Sequence, residues 1–409
     1  MSSTEVNEQQ VEKQSNLMTT YNRWPITVDR GEGSYLWDVD GKEYLDFTSG
    51  IAVNQFGHSY PPMVKAIQAQ AEKLIHVSNL FAIPNQEQLA DALVEEAGYG
   101  KVFFANSGAE ANEAAIKLAR RYHQKIRHEN RYEIITFQKS FHGRTLTTIT
   151  ATAQPKYQEG FLPLPDGFKY CPLNDINAVK QAITDNTAAI MFELIQGEGG
   201  VHVIDRDFLQ ELKELAEKHN ILLIVDEVQT GIGRTGTMFA WQQFDFQPDI
   251  YTLAKGLGGG VPIGACVAKD EVAKAFVPGT HASTFGGNPL VTAAANTIIS
   301  ELQRQEVQEQ FQANVIDVEQ RLKLLKNQYP DLIIESRGLG LLRGVQLDEA
   351  IPVMDVIVKC RVKGLLITPA GDNTLRLLPP FNVSPQEIEK AFTIIREVLG
   401  EFTDKNSES

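Results

Sequence analysis

The chain has 409 residues, of which 43% are hydrophobic and 22% charged, too many for one small core and enough for two or three domains at roughly 100–200 residues each. Its 38 basic and 52 acidic groups leave a net charge of −14, which argues against general binding to nucleic acid or to an anionic membrane and leaves room only for a local basic pocket. Cys171, Cys266 and Cys360 show neither disulfide nor metal-ligand spacing, no apolar run approaches the roughly 20 residues of a membrane span, and residues 1–16 lack the apolar stretch of a secretory signal, so a cytoplasmic protein without a metal site is expected.

Residues before about Met18 read as a frayed tail. Residues 35–39 and 42–45 alternate around Asp40-Gly41, which predicts a hairpin on a type I′ turn. Pro61-Pro62 then opens a helix with Met63, Ile67 and Leu74 on one face. From Lys101 strands and helices alternate. A strand at 101–106 meets Ser107-Gly108-Ala109, followed by a helix with Ala111, Ala115, Leu118 and Tyr122 along one face. Next come a strand at 133–137, the loop 140–145, and a strand at 188–195 that runs into Gln196-Gly197-Glu198-Gly199-Gly200. A helix bearing Phe208, Leu212, Leu215 and Ala216 ends near Asn220, and apolar runs follow at 221–225 and 249–254. Such alternation predicts right-handed βαβ units and a mostly parallel sheet, an α/β fold. From about Pro289 the pattern changes to helices, short strands and a last helix. That helix opens on the capping box Ser384-Pro385-Gln386-Glu387 and carries Ile388, Phe392, Ile395 and Leu399 on one face.

The chemistry gathers at strand ends. The run 221–225 ends on Asp226-Glu227 and the run 249–254 on Lys255, and open α/β sheets bind ligands at the carboxyl ends of their strands. A buried carboxylate needs a partner, which a protonated ring nitrogen would supply; an N-cap or a structural ion pair is the plainer reading. A lysine in a desolvated site can lose its proton and attack a carbonyl; a surface lysine before the glycine-rich loop 256–260 is the plainer reading. Ser107-Gly108-Ala109 joins a strand to a helix amino end, where N–H groups and the helix dipole favour a phosphate. Arg144 and Arg376 stand among small or apolar residues and call for a carboxylate or phosphate, with structural ion pairs as the plainer reading. Residues 231–236 spell G-x-G-x-x-G and raise a second reading, an NAD-dependent oxidoreductase. Against it, Asp226-Glu227-Val228-Gln229 separates the glycines from the strand, and no clear helix start follows.

Six segments, in order, resemble the ω-aminotransferases that use pyridoxal 5′-phosphate (PLP). They are NSGAEANEAAIKLAR from Asn106, FHGRT from Phe141, QGEGG from Gln196, DEVQTGIGRTG from Asp226, LAKGLGGG from Leu253 and STFGGNP from Ser283. The likeness runs from about Tyr21 to Phe402. It implies the PLP-dependent transferase fold, aspartate-aminotransferase-like (fold type I), with a mostly parallel central sheet. A large PLP-binding domain at 59–290 and a smaller α/β domain at 291–409 are expected, the tail and hairpin segment 1–58 packing with the latter. Leu194 departs from the family, where a proline usually follows the glutamate.

By resemblance, Lys255 carries the Schiff base and Asp226 binds the pyridine nitrogen. Gln229 lies near the phenolic oxygen, Phe141 stacks on the ring, and Ser107, Gly108 and Ala109 hold the phosphate together with Thr284 of the neighbouring subunit. A homodimer with active sites at its interface is therefore implied. Arg144 and Ser283 contact the amino donor. Arg376 binds a glutamate carboxylate, and Glu198 pairs with it when that carboxylate is absent. The implied reaction moves the terminal amino group of N2-acetylornithine to 2-oxoglutarate, giving N-acetylglutamate 5-semialdehyde and glutamate, a step of arginine biosynthesis. Asn112 argues against 4-aminobutyrate as donor. Ile51, where relatives acting on free ornithine carry a tyrosine, argues against ornithine. Acetyl against succinyl stays open, with succinylornithine and the N-succinyldiaminopimelate of lysine biosynthesis as the succinyl cases.

Overall fold

A computed structural model describes residues 16–406; the expected tail lies, up to residue 15, outside the described residues. The described chain begins with a three-stranded antiparallel meander, β1 (Val28–Glu32), β2 (Tyr35–Asp38) and β3 (Glu43–Asp46). The hairpin is where the alternation placed it, but its turn is not type I′. That turn needs positive φ at both central residues. Here the Gly41 N–H closes on the Asp38 carbonyl, Val39 and Asp40 keep negative φ, and Gly41 alone is left-handed at φ 82°. The helix Pro61–Lys73 starts on its proline pair and buries Met63, whereas Leu74 caps it and is 45% exposed.

The centre is a seven-stranded sheet. Its strands are β4 (Lys101–Ala105), β5 (Glu133–Phe137), β6 (Phe168–Cys171), β7 (Thr187–Phe192), β10 (Leu222–Asp226), β11 (Ile250–Leu253) and β12 (Gly264–Ala268), in the order β4-β12-β11-β10-β7-β5-β6. Only β12 runs against its neighbours. Strands covered on both faces read as unbroken apolar runs rather than alternating ones, and β7, β10 and β11 are buried at every position. In the parallel register of β10 and β11, Asp226 stands opposite Thr252. The expected strand at 249–254 stops at Leu253, so Lys255 lies just past its end, in a short helical turn with φ 42°.

After β7 the chain forms a small hairpin of β8 (Ile195–Gln196) and β9 (His202–Val203), with Glu198 in the loop between them. Toward the carboxyl end, β13 (Ile333–Leu339), β14 (Leu342–Leu347), β16 (Thr368–Ala370) and β17 (Thr374–Leu377) form an antiparallel sheet in the order β13-β14-β17-β16, with Arg376 on β17. The short β15 (Leu365–Leu366) pairs in parallel with β3, tying late residues to the opening meander. The capping box is formed: the Ser384 N–H donates to Glu387 Oε2 (2.6 Å) and the Glu387 N–H to Ser384 Oγ (3.2 Å). Among the described residues no helix is long and apolar enough to cross a membrane.

The G-x-G-x-x-G segment forms neither a strand–helix junction nor a phosphate loop. It is a run of turns with no helix at its end, and Arg234 within it is fully buried. Arg234 Nη1 donates to the carbonyls of Pro379 (2.7 Å) and Leu341 (3.3 Å), its guanidinium lies 4.7 Å from the Phe381 ring, and burial lowers its pKa to about 9. These glycines shape a structural loop, and the dinucleotide reading loses its only motif.

Candidate active site

A cavity of about 470 Å³ opens at the carboxyl ends of the central strands. Ser107, Gly108, Ala109, Phe141, Arg144, Asp226, Gln229 and Lys255 all line it, so eight residues singled out in the sequence meet in one space. The size is ordinary for a small-ligand site.

Asp226 is the last residue of β10 and is 4% exposed. Its Oδ2 accepts from Asn112 Nδ2 and from His142 Nδ1, both at 2.8 Å, and its Oδ1 accepts from the Val228 N–H at 3.0 Å. Three donors satisfy the desolvated carboxylate. Lys255 stands at the same cavity and is partly buried. Burial depresses its pKa below the ordinary lysine value; Arg376 acts in the same sense, while Glu198, Asp226 and Glu193 oppose. A lysine so placed is easier to deprotonate and serves as a nucleophile or a base.

The helix Gly108–Arg121 begins at the wall of the cavity. Ser107 is its N-cap: Ser107 Oγ accepts from the Glu110 N–H (3.2 Å), and the Ser107 carbonyl from the Ala111 N–H (3.0 Å). Among the described residues the Gly108 and Ala109 N–H groups have no hydrogen-bond partner, and both residues line the cavity, at a helix end that favours an anion. Gly108 must be small because a Cβ there would come within 2.8 Å of Val228 Cγ1.

Two arginines serve the site differently. Arg144 is exposed, and its guanidinium lies 4.1 Å from the Tyr157 ring and 5.6 Å from the Phe141 ring. Arg376 is 2% exposed and does not line the cavity. Its Nη1 donates to Glu198 Oε1 (2.6 Å), the Gly197 carbonyl (2.9 Å) and Gln229 Oε1 (3.1 Å), and its Nε to Thr368 Oγ1 (3.3 Å). Nη2 carries no hydrogen bond among the described residues. Burial alone would raise the Glu198 carboxyl; Arg376 and Lys255 outweigh it and hold Glu198 below the usual carboxylate range. The glycines around Glu198, which suggest a flexible loop, are there for close packing instead. A Cβ on Gly197 would meet Gln229 Oε1 at 2.3 Å, and one on Gly199 the Lys139 carbonyl oxygen at 2.7 Å.

Ser283 and Thr284 do not line the cavity of this single chain. Ser283 Oγ accepts from Asn106 Nδ2 (3.2 Å) and the Gly286 N–H (2.9 Å), and Thr284 is exposed.

Residues 18–399 match the family model described as aminotransferase class-III. The chain belongs to the class-III aminotransferases. It is 48% identical over 392 residues to a protein named acetylornithine aminotransferase from Methanocaldococcus jannaschii, covering 96% of this chain and 98% of that one. Among solved structures it resembles N-acetylornithine aminotransferase from Stenotrophomonas maltophilia (TM-score 0.81, 34% identity, 94% of this chain and 98% of that one). It also resembles an ornithine aminotransferase from Toxoplasma gondii whose active site is partly occupied by PLP (TM-score 0.89, 33% identity, 95% of this chain and 93% of that one). The fold is that of the PLP-dependent transferases, and this class-III aminotransferase is PLP-dependent.

The residues present fit that cofactor. An anion-binding helix end, a buried carboxylate and a lysine of lowered pKa line one cavity, matching the phosphate, ring nitrogen and aldehyde of PLP. His142 Nε2 is buried with no partner among the described residues.

Three features of the site, and the contact of Asn112 with Asp226, escape the sequence. Asn112 sits on a helix face that is otherwise apolar, and a lone polar residue there was the available signal. Glu193 is 5% exposed at the cavity wall, accepts from the Phe141 N–H (3.0 Å), and is pushed well above the carboxylate range by burial and by Asp226. Tyr157 carries Arg144 with no spacing signal. Val53, which lines the cavity, follows Ser49, Gly50, Ile51 and Ala52, all at positive φ between 46° and 65°. Left-handed backbone costs about 1–2 kcal/mol per non-glycine residue, and only one glycine hints at it.

Proposed function

We propose that this aminotransferase moves the terminal amino group of N2-acetylornithine to 2-oxoglutarate, giving N-acetylglutamate 5-semialdehyde and glutamate. PLP, when bound, supplies the electron sink for breaking the C–H bond beside the reacting amine. Lys255 would hold the cofactor covalently, and its amine, once free, would accept the proton from that carbon on Nζ. Asp226 keeps the ring nitrogen protonated, Gln229 faces the phenolic oxygen, Phe141 stacks on the ring, and the N–H groups of Gly108 and Ala109 with Ser107 hold the phosphate. Glu193 sits beside this set, its carboxyl pushed upward by burial and by Asp226.

One observation carries the substrate assignment: the buried ion pair of Arg376 with Glu198, next to Lys255. Glutamate brings two carboxylates to the site and acetylornithine, reacting by its far amine, brings one. Arg144 takes the carboxylate that both donors place far from the reacting carbon. Arg376 takes the second carboxylate of glutamate. When acetylornithine is bound, an unpaired buried guanidinium would cost about 3–5 kcal/mol, and Glu198 removes that cost. Because the backbone around Glu198 is packed tight, the exchange proceeds by rotation of its side chain.

We further assign the cofactor to a large domain at 59–290 and Arg376 to a small domain at 291–409, the described part of segment 1–58 packing with the latter. We also assign a homodimer in which Thr284 reaches the neighbouring phosphate and Ser283 its amino donor. The exposed side chains Leu80 (89%), Phe81 (63%) and Phe285 (58%) support that face, on loops joined by Asn79 Nδ2 donating to the Ser283 and Gly286 carbonyls. A cytoplasmic setting suits three free, buried cysteines. The test is a single-turnover assay of the loaded protein with acetylornithine, succinylornithine, ornithine and 4-aminobutyrate. Acetylornithine should bleach the visible band fastest and 2-oxoglutarate should restore it; a faster reaction with ornithine or 4-aminobutyrate overturns the assignment.

A further inference from the structure

Asp226 does not stand alone at the end of β10. Asn112 is 1% exposed and uses both hydrogens of its amide: one on Asp226 Oδ2 (2.8 Å), the other on the His142 carbonyl (2.8 Å). Both partners accept only, so the amide nitrogen must face them. The amide oxygen accepts in turn from Thr252 Oγ1 at 2.6 Å. Thr252 is fully buried on β11, directly across the ladder from Asp226. Three elements, the helix Gly108–Arg121, β10 and β11, thus meet in one closed chain: Thr252 hydroxyl, Asn112 amide, Asp226 carboxylate. His142 closes the same carboxylate oxygen from the other side.

We propose that Asn112, oriented by Thr252, is a positioning residue that fixes the plane of the Asp226 carboxylate and reserves Oδ1 for the cofactor's ring nitrogen. The inference rests on the reading of Asp226 as that nitrogen's partner. Oδ2 is saturated by two side-chain donors, while among the described residues Oδ1 takes only the Val228 N–H, so Oδ1 has the free lone pair. Without the amide, one donor remains on Oδ2 and the carboxylate is free to turn. Its grip on the ring N–H loosens, the ring loses positive charge, and the nitrogen that Lys255 contributes holds its proton to higher pH. Glu193, Glu198, Lys255, Arg376 and His142 also face this carboxylate or its neighbours, and all are unchanged in the variants below.

The experiment titrates the visible absorption band of the PLP-loaded protein against pH and measures PLP affinity by refilling the cofactor-free protein. In Asn112→Ala the band's midpoint should rise by about one pH unit and the Kd for PLP by about tenfold, the size of one hydrogen bond to a charged group. Thr252→Val keeps shape but leaves the Asn112 oxygen unpaired and the amide free to rotate; it should move both readings the same way by less. Thr252→Ser keeps the hydroxyl and should keep the native midpoint. If Asn112→Ala or Thr252→Val lowers thermal stability while midpoint and Kd stay native, Asn112 is only a buried structural amide and the proposal falls. Should Asn112→Ala not fold, Thr252→Val against Thr252→Ser decides. Asp226→Ala is the control: if it leaves the midpoint and Kd native, the reading of Asp226 itself fails; if it moves them and Asn112→Ala does not, only the present inference fails.

Discussion

Around Asp226 every neighbour is fixed. Asn112, His142 and Thr252 are buried and bonded in one orientation, and no partner has to leave during the reaction. Around Arg376 the arrangement is provisional: its charge is balanced by Glu198, a side chain 25% exposed, and Nη2 is uncommitted. The two regions face different demands. In the proposed function, one holds the same ring through every turnover and the other accepts a carboxylate and then does without it. Preorganised polar networks serve the first task, and an internal substitute for the substrate's charge serves the second.

Breaking the constant side should have the largest effect. Lys255→Ala removes both the covalent anchor and the proton carrier, and turnover should fall by at least about 10⁴-fold, the upper range for losing a general base; the steady-state rate with acetylornithine and 2-oxoglutarate checks this. On the adjustable side, Arg376→Ala should slow the glutamate half-reaction by about 10²–10⁴-fold, the equivalent of about 3–5 kcal/mol, and the acetylornithine half-reaction by less than about tenfold. Stopped-flow single turnovers with each donor separate the two.

Much of this contrast was legible in the sequence, and the reasons differ by residue. Asp226 and Lys255 stood at the ends of apolar runs, and burial on both sheet faces makes such runs visible. The Glu198 glycines were visible too, but composition does not tell close packing from flexibility; the Lys139 backbone carbonyl, which a Cβ at Gly199 would meet at 2.7 Å, does. Tyr157, and the bonding of the already singled-out Asn112, were hidden because they come from contacts between segments distant in sequence or in separate elements, Asn112 with Thr252 and Asp226, and Tyr157 with Arg144. β12 was hidden as well, an antiparallel strand inserted between β4 and β11 that no local pattern announces. The left-handed turn at residues 49–52 carries three non-glycine residues and gave no local cue.

Smaller effects sharpen the comparison. The Lys255 amine is held below its ordinary pKa of 10.5 by burial, with Glu198 opposing. The rate at which cofactor-free protein takes up PLP should therefore rise with pH and level off below 10.5. Glu198→Gln removes a charge that favours the ammonium, so it should move that midpoint lower, and Arg376→Gln should move it higher. Tyr157→Ala removes the ring beneath Arg144; at about 0.5–2 kcal/mol for such a contact, KM should rise roughly 2–30-fold for both amino donors alike.

Glu198→Ala puts the division between a fixed and an adjustable end to its most direct test, with the two half-reactions measured separately. With the internal carboxylate gone, Arg376 should hold glutamate at least as well as before, so that half-reaction stays near native or quickens. The acetylornithine half-reaction, left with an unpaired buried charge, should slow by about 10²-fold or more, the lower end of about 3–5 kcal/mol of uncompensated charge. Equal losses in the two half-reactions would contradict the exchange of Glu198 for a substrate carboxylate.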